Sequence, residues 1–251
     1  MASYRLRFLV RSGAIVAFAM GWIVFGFGRF AFSSVLLLFF FSSSFLSKLG
    51  KTRKSKLTAY AQKSNQRDAW QILANGSVPT LLLIVWFYSQ AAIFILLFLI
   101  SLAAATADTW ATEIGVLSKS APRSILSFKK VPRGTSGGVS ILGTAAAFSG
   151  ALIVAILGLL IFSVYQRFPF TLQDVLLVTI IGLAAQIFDS ILGASLQAKY
   201  RCLRCEKTCE QNQHCTGAGT KLVSGWKRMN NDVVNFLSVV FAVFIAWLVI
   251  N

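Results

Sequence analysis

The feature that most constrains this chain is the recurrence of apolar runs about as long as a lipid bilayer is thick. Hydrophobic residues make up 56% of the 251 residues, charged residues only 13%, and the mean hydropathy is +0.71. A soluble domain is nearer one quarter charged, so these runs predict an all-α, polytopic integral membrane protein. We expect a single membrane-embedded domain over 1–251 with about seven transmembrane helices, at 12–30, 33–47, 72–89, 91–107, 139–163, 174–195 and 233–250.

The first two runs need separate comment. The first follows Arg5, Arg7 and Arg11, and we expect it to be retained as a span, because no small-residue cleavage pattern of a signal peptide follows it. The second, 33–47, is short enough to lie partly in the interface or to pack inside the bundle.

Lysine and arginine are divided unevenly between the connections. Of the 24, 22 fall in the N-terminal tail, 48–71, 108–138 and 196–232, which share one side if every span crosses, and only Arg29 and Arg167 fall on the other. The positive-inside rule then places the N-terminus inside and the C-terminus outside, and we expect the plasma membrane. The net charge of +16 is spread between spans, which argues against nucleic-acid binding and fits anionic lipids or phosphorylated substrates.

Four of the eight acidic residues lie at or inside predicted helix ends on this cytoplasmic side: Asp108, Glu113, Asp189 and Asp232. A charge within a span costs about 2.5–3.5 kcal/mol on insertion scales, so each suggests function, although each could instead cap a helix or pair with a lysine. Asp108 and Thr112 share a helix face. Glu113 is about 140° from Asp108 on an ideal helix, so the two can bind one ion only if the helix ends or bends between them.

A segment suited to binding phosphate follows, KKVPRGTSGGVS at 129–140. Glycines allow the positive φ angles of an anion-binding nest, and the helix expected to begin near Val139 points its N-terminus at the loop. The spacing is not that of a Walker motif, so the loop alone is a weak signal. The candidate phosphate ligands are Lys119, Lys129, Lys130, Arg133, Gly134, Thr135, Ser136, Gly137 and Gly138.

Polar residues also form a stripe near the end of the span 174–195. Gln186, Asp189, Ser190, Gly193 and Gln197 recur at helical spacing, which places them on one face. Such a face lies toward the bundle interior, either to hydrogen-bond other helices or to bind a ligand. We favour a ligand, with Asp189 as a second metal-binding or phosphate-organising group.

Two further segments supply weaker candidates. Asn231, Asp232 and Asn235 begin the last span and either cap it or contact phosphate and Mg²⁺-bound water. The basic segment 48–71 fixes topology on the simplest interpretation, but Arg67 and Asp68 at its end, with Asn75 beyond, could reach the site.

All four cysteines and the only histidine fall in one connection, at about 199–221: Cys202, Cys205, Cys209, His214 and Cys215. A C-x₂-C pair followed by His-Cys has the spacing of structural zinc ligands, although no second C-x₂-C pair follows. Free or redox-active thiols are the alternative, and disulfides are less favoured in a reducing cytoplasm.

Several strings taken together, DTWATEIG, PRGTSGG, DSILGASLQ, MNNDVVN and RDAWQILANG, resemble the DUF92/TMEM19 family, which includes the phytyl-phosphate kinases of tocopherol synthesis. More distantly, an acid-containing helix before a Lys-rich, Gly/Ser/Thr loop resembles the CTP-dependent polyprenol and dolichol kinases and the phosphatidate cytidylyltransferases. The resemblance implies that Asp108 and Glu113 serve Mg²⁺–nucleotide and that Lys129, Lys130 and 134–137 hold phosphates.

The acids and the cationic loop predict a membrane phosphotransferase, and the resemblance implies a prenyl-phosphate kinase that transfers a phosphoryl group from CTP, or another nucleoside triphosphate, to an isoprenyl monophosphate. The reaction needs alignment and charge neutralisation, which suits Mg²⁺ beside a cationic loop. We expect catalytic roles for Asp108, Glu113, Asp189 and Lys130, with Mg²⁺ at the three acids, and phosphate contacts from Gln197, Asn231 and Asn235. Of second rank are Arg67, Asp68, Asn75, Thr112, Ser190 and Asp232.

Three other functions remain open from the sequence. The first is a cytidylyltransferase that forms a CDP-lipid, the second is a transporter of phospholipid or prenyl phosphate, and the third is a purely structural or interaction protein. The absence of a detectable internal repeat disfavours the transporter.

Overall fold

The computed structural model describes residues 8–49, 66–211, 213–215 and 217–250. Arg5, Arg7 and most of the basic segment 48–71 therefore lie outside the described residues. Six helices account for most of the rest: α1 (Arg11–Lys48), α2 (Ala69–Ser89), α3 (Ile93–Gly115), α4 (Ile141–Gln166), α5 (Leu172–Ser195) and α6 (Asn231–Ile250). All six are long and apolar enough to cross a membrane, which confirms the all-α, polytopic prediction.

Helix α1 is a hairpin and not a single rod. Arg29 has φ 50° and ψ −142°, which interrupts the helix between residues 11–28 and 30–48. The two arms run antiparallel, because the Phe8 ring at the start of the first arm meets Phe40 at 6.4 Å between centroids and Lys48 at 3.9 Å from Nζ. The bend itself lies at the far end, where Phe30 contacts Tyr165 near the end of α4. The described chain thus traverses the bundle seven times, as the seven predicted spans require.

Helix α3 forms the centre of the bundle. Of its most apolar stretch 72% is buried inside the protein, against 28–50% for the other helices. It runs eight residues past the predicted end at 107, so Asp108 and Glu113 stand on its last turns. Small residues let α4 approach closely here: a Cβ added to Gly115 would lie 3.2 Å from the Cα of Gly143. At the other end Phe32, Phe98 and Phe162 fill the core edge to face.

Large apolar side chains also cover the outside of the bundle. Trp22 is 74% exposed, Phe18 69% and Ile180 60%, and these positions lie on spans. A surface of this kind is unfavourable in water and suits contact with lipid chains.

Two small sheets lie at the end of the bundle that holds the acids. The pair β1 (Arg123–Ser124) and β2 (Gly138–Val139) closes the connection before α4. The Cys/His segment, predicted as a loop, forms a sheet in the order β4-β3-β6-β5, made of β3 (Lys199–Cys202), β4 (Thr208–Cys209), β5 (Gln213–His214) and β6 (Ala218–Ser224). We call this segment, residues 199–224, the cysteine hairpin.

Candidate active site at the helix ends

A cavity of about 350 Å³ opens where all six helices meet the glycine loop, which comprises residues 133–138. Most of the polar residues predicted as site residues line it, and they come from segments far apart in the chain. Its polar and glycine lining includes Ser47, Arg67, Gln71, Asn75, Asp108, Thr109, Thr112, Glu113, Arg133, Gly134, Thr135, Ser136, Gly137, Gly138, Ser140, Thr144, Gln186, Asp189, Ser190, Gln197, Glu210, Asn231 and Asn235.

Asp108 and Asp189 form the acidic centre of the cavity. Their carboxyl groups, on α3 and α5, are within hydrogen-bonding reach of each other. Ser238 of α6 donates to Oδ2 of Asp189 at 3.1 Å, and the Asn235 amide nitrogen, turned toward the same oxygen, donates at 3.2 Å. Beside them Gln186 donates to Ser190 at 2.9 Å, so the predicted stripe of α5 does face inward. Two adjacent, partly buried carboxylates repel each other unless a proton or a cation lies between them.

Glu113 belongs to a different part of the same cavity. Because α3 stays helical through Gly115, Glu113 points away from Asp108, and its Oε1 accepts a hydrogen bond from Ser47 at 2.8 Å. Its charge acts on Arg67, whose pKa is lowered by burial and raised in part by Glu113. The expectation that Asp108, Glu113 and Asp189 share one ion is therefore not met by this geometry. In the described chain no three carboxylates form a compact metal-binding group.

Arg67 is held by the chain ahead of α1. Its N–H donates to the carbonyl of Phe8 at 3.0 Å, and its carbonyl accepts from Val10 at 3.1 Å. Gly13 is required here, since a Cβ would lie 2.3 Å from the Arg67 carbonyl oxygen. These contacts fix the backbone of Arg67 beside the cavity.

The glycine loop, residues 133–138, supplies the electropositive wall. Gly134 and Gly137 adopt φ 83° and 77°, as an anion-binding nest needs, and a Cβ on Gly137 would lie 2.4 Å from that of Ala194. Arg133 donates to the carbonyls of Ser118 and Lys119, while its Nε is buried without a partner among the described residues. Helix α4 begins directly after the loop, capped by Ser140, and so directs the positive end of its dipole at the cavity.

Glu210 of the cysteine hairpin closes the cavity and was missed by the sequence prediction. Its carboxylate accepts hydrogen bonds from Ser136 of the glycine loop and, at 3.0 Å, from Gln197. Burial raises its pKa, and these hydrogen bonds and Lys199 offset that effect in part. Its position in sequence, among cysteines and lysines on a predicted loop, gave no periodic pattern that could have linked it to the site.

Five predicted site residues do not line the cavity. Lys119, Lys129 and Lys130 are exposed. Residues 122–131 fold back on themselves, with Ser124 N–H bonded to the Lys129 carbonyl, and this turn carries the lysines outside. Asp68 instead caps α2 through a reciprocal pair of hydrogen bonds with Gln71, and Asp232 is buried in the first turn of α6. Lys130, expected to be catalytic, therefore lies outside the cavity.

A second, apolar groove adjoins the cavity. Val139, Ser140 and Thr144 line both spaces, and the groove continues over Ile141, Ala145, Phe148 and Leu183. Arg123 and Lys130 stand on its rim. The polar cavity and the apolar groove thus share a wall at the predicted membrane interface.

The cysteine hairpin gathers four of its five possible metal ligands. The ligand atoms of Cys202, Cys205, His214 and Cys215 all lie within 4.8 Å of one another. Cys209 is separate: it is buried against Ala198 and Tyr200.

Comparison with known proteins assigns the chain to a family. The family model described as integral membrane protein DUF92 matches residues 1–243. The chain is 30% identical to Protein PGR of Arabidopsis thaliana, over 97% of this chain and 89% of that protein. It is 34% identical to an uncharacterized membrane protein of Methanocaldococcus jannaschii, over 77% of this chain and 76% of that protein.

A more distant similarity connects it to the chloroplastic Protein VTE6 of Arabidopsis thaliana, at 23% identity over 92% of this chain and 62% of that protein. No solved structure matches the chain significantly. The match over nearly the whole length, together with the six apolar helices, confirms the resemblance drawn from the motifs: the chain belongs to the DUF92 family of integral membrane proteins.

Proposed function

We propose that this protein is a prenyl-phosphate kinase that transfers the γ-phosphoryl group of a nucleoside triphosphate, with CTP as the proposed donor, to an isoprenyl monophosphate. The observation that carries the proposal is the pairing of Asp108 and Asp189 in one cavity with the glycine loop. A phosphoryl-transfer site needs these two things, negative groups for a divalent cation and N–H donors for phosphates.

The acidic pair suits Mg²⁺. This ion is usually held in proteins by one or two carboxylates, with substrate phosphates and water completing its octahedron. Asp108 and Asp189 would hold it, with Asn235 and Ser238 orienting Asp189. When bound, Mg²⁺ supplies neutralisation of the charge that develops on the phosphoryl oxygens.

The protein's own groups would align the two anionic substrates. The glycine loop, Arg133 and the N-terminus of α4 bind the nucleotide phosphates, and Arg67 offers a second guanidinium for the acceptor phosphate. An oxygen of the acceptor monophosphate bonds to the γ-phosphorus while the bond to the β,γ-bridging oxygen breaks, giving the prenyl diphosphate and CDP. The acceptor is already an anion, so the step needs no general base.

The apolar groove supports a lipid acceptor. Its shared wall at Val139, Ser140 and Thr144 would let a prenyl chain lie over Ile141, Phe148 and Leu183 while its phosphate enters the cavity. Lys130 and Arg123 on the rim would attract the anionic headgroup before it is seated. This gives Lys130 a role in capture and not in chemistry.

The test is a reaction in detergent or liposomes with prenyl monophosphates of several lengths, Mg²⁺ and each labelled nucleotide. We expect formation of a prenyl diphosphate, identified by mass. Asp189→Asn should lower turnover by at least about 10–100-fold, since even the partners that only orient metal ligands contribute that much. Asp174→Asn is the matched control, since Asp174 begins the same helix at the opposite end.

Other products would contradict the proposal in distinct ways. A CDP-lipid with release of pyrophosphate would identify a cytidylyltransferase. Uptake of prenyl phosphate into liposomes without nucleotide, with no diphosphate formed, would identify a transporter. Equal activity of Asp189→Asn and the wild type would remove the acidic pair from the mechanism.

A further inference from the structure

The cysteine hairpin contains a group of ligands that the proposed reaction does not use. Cys202 is the last residue of β3 and Cys205 lies in the turn that leads to β4, while His214 is the last residue of β5 and Cys215 lies in the turn that leads to β6. Because β3 and β6 are neighbours in the sheet, with Cys202 opposite Thr220, the segments that follow β3 and precede β6 lie at the same end of the sheet. The fold therefore brings together two ligand pairs separated by eight residues of sequence.

The distances suit a tetrahedral ion. Nδ1 of His214 lies 3.4 Å from the sulfur of Cys205 and 3.2 Å from that of Cys215. Bonds of about 2.3 Å to sulfur and about 2.0–2.1 Å to nitrogen at tetrahedral angles place neighbouring ligand atoms roughly 3.5–3.8 Å apart. The backbone N–H of Arg204 also points at the Cys202 sulfur at 3.4 Å, the kind of outer hydrogen bond that supports a metal-bound thiolate.

The hairpin has little else to hold it together. Among its described residues the buried apolar cluster consists of Tyr200 and Cys209 together with the adjoining Ala198, and its central strand β6 is largely exposed. A segment of this size with so small a core needs a disulfide or a metal for stability. None of the four cysteines is in a disulfide. Cys215 adopts φ 47°, a conformation unfavourable for a side-chain-bearing residue unless something fixes it.

We propose that Cys202, Cys205, His214 and Cys215 bind one structural Zn²⁺, and that this ion fixes Glu210 against the glycine loop. Glu210 lies between the two ligand pairs in sequence, and its carboxylate bonds to Ser136 and Gln197. With four protein ligands the ion has no open position, so it is structural and not catalytic. The link to Glu210 rests on the proposed nucleotide site, whereas the zinc site itself does not.

The first test is metal content and coordination in the purified wild-type protein. We expect about one zinc per chain and an X-ray absorption spectrum with three sulfur ligands and one nitrogen ligand. Purified protein that takes up no zinc when it is added, and whose cysteines all react with a thiol reagent, would overturn the site. This measurement needs no variant and no enzyme activity.

Variants then test the ligand assignment. Cys205→Ser and Cys215→Ser should each lose most of the bound zinc, while Cys209→Ser is the control and should retain it. If all three variants lost zinc equally, the conclusion that Cys209 is not a zinc ligand would be wrong.

Hydrogen exchange tests the connection to Glu210. Removing zinc from the wild type with a chelator should speed exchange at 199–224 and in the glycine loop, with no change in α2. Faster exchange confined to the cysteine hairpin would be consistent with the zinc site but would disprove that the ion fixes Glu210 against the glycine loop. Such a result would leave the kinase proposal, which is judged by product formation, unaffected.

Discussion

Among individual residues, Glu210 is the clearest example of a site residue whose position lowers the stability of the folded protein. It is a carboxylate placed against the anion-binding loop, where it bonds to Ser136 and Gln197 and its charge also acts on Asp189. Burial of a charged group without a direct ion pair is unfavourable, and here the burial raises the pKa of Glu210.

This shift predicts a pH-dependent stability difference for Glu210→Gln. Because the folded-state pKa of Glu210 lies above its ordinary value of 4.5, the folded protein binds the proton more tightly than the unfolded chain does. The carboxyl therefore lowers stability increasingly as pH rises from about 4 through the folded-state pKa. Glu210→Gln should unfold at a higher temperature than the wild type near neutral pH, and the difference should vanish below about pH 4.

Thermal unfolding followed by tryptophan fluorescence across this pH range measures the effect. Glu206→Gln changes an exposed acid of the same hairpin and should show no comparable gain. A Glu210→Gln variant that is less stable than the wild type at neutral pH would contradict the prediction. It would show that the interactions of the Glu210 carboxylate outweigh the unfavourable burial of its charge.

The site residues that could be identified from sequence were those whose residue type is energetically unfavourable in its sequence context. Asp108 and Asp189 are charged residues in apolar helices, and the loop 133–138 combines glycines with a helix start, so both groups were predicted and both line the cavity. Lys129 and Lys130 were assigned from their charge and from the family resemblance, and a turn that the sequence does not specify carries them outside the cavity. Glu210 was missed because its approach to Ser136 depends on the fold of the hairpin.

Among the helices, the close approach of α3 and α4 decides the shape of the cavity. Gly115 and Gly143 face each other, and a Cβ on Gly143 would lie 3.0 Å from the Ala111 carbonyl oxygen and 3.3 Å from the Gly115 Cα. Small residues allow such contacts in membrane helices and thereby hold α3 and the start of α4 at a fixed distance.

We therefore expect Gly143→Val to separate these helix ends. Overpacking of this kind costs about 1–3 kcal/mol and would displace the N-terminus of α4 from the glycine loop. The variant should unfold at lower temperature and lose the stabilisation that we propose nucleotide and Mg²⁺ give the wild type. Gly21→Val is the control, since a Cβ at Gly21 meets nothing within 4 Å. Equal behaviour of the two variants would contradict the role of the close contact.

The helices themselves followed from the hydropathy pattern, but some of their ends did not. The predicted span 91–107 stopped at the first carboxylate, whereas α3 continues to Gly115, and its last turns line the polar cavity. The arms of α1 were predicted separately, and the break at Arg29 agrees with that division. The strands of the cysteine hairpin are too short to give a recognisable alternation of polar and apolar residues.

For the molecule as a whole, seven traverses of the bundle place the cavity, the cysteine hairpin and the start of α1 at one end. The turns at Gln90 and Arg167 lie at the other end, each in the left-handed conformation. The distribution of basic residues predicts that the cavity faces the cytoplasm, where nucleotides are available.

Cysteine labelling in intact cells tests this orientation. Gln90→Cys and Gln173→Cys should react with a membrane-impermeant maleimide. Ser127→Cys and the wild type, whose own cysteines all belong to the hairpin, should react only after the membrane is opened. Reaction of Ser127→Cys in intact cells would show that the cavity faces the outside, where it has no access to cytoplasmic nucleotide.

The contact between Phe8–Val10 and Arg67 bears on how the protein can be handled in the laboratory. The backbone of Arg67, which lines the cavity, is hydrogen-bonded to Phe8 and Val10 just ahead of the first helix. Shortening the chain to Arg11 would therefore remove these hydrogen bonds, although no hydrophobic span would be lost. Affinity tags and fluorescent fusions are accordingly better placed after Ile250, at the end of the bundle opposite the cavity, than ahead of Phe8.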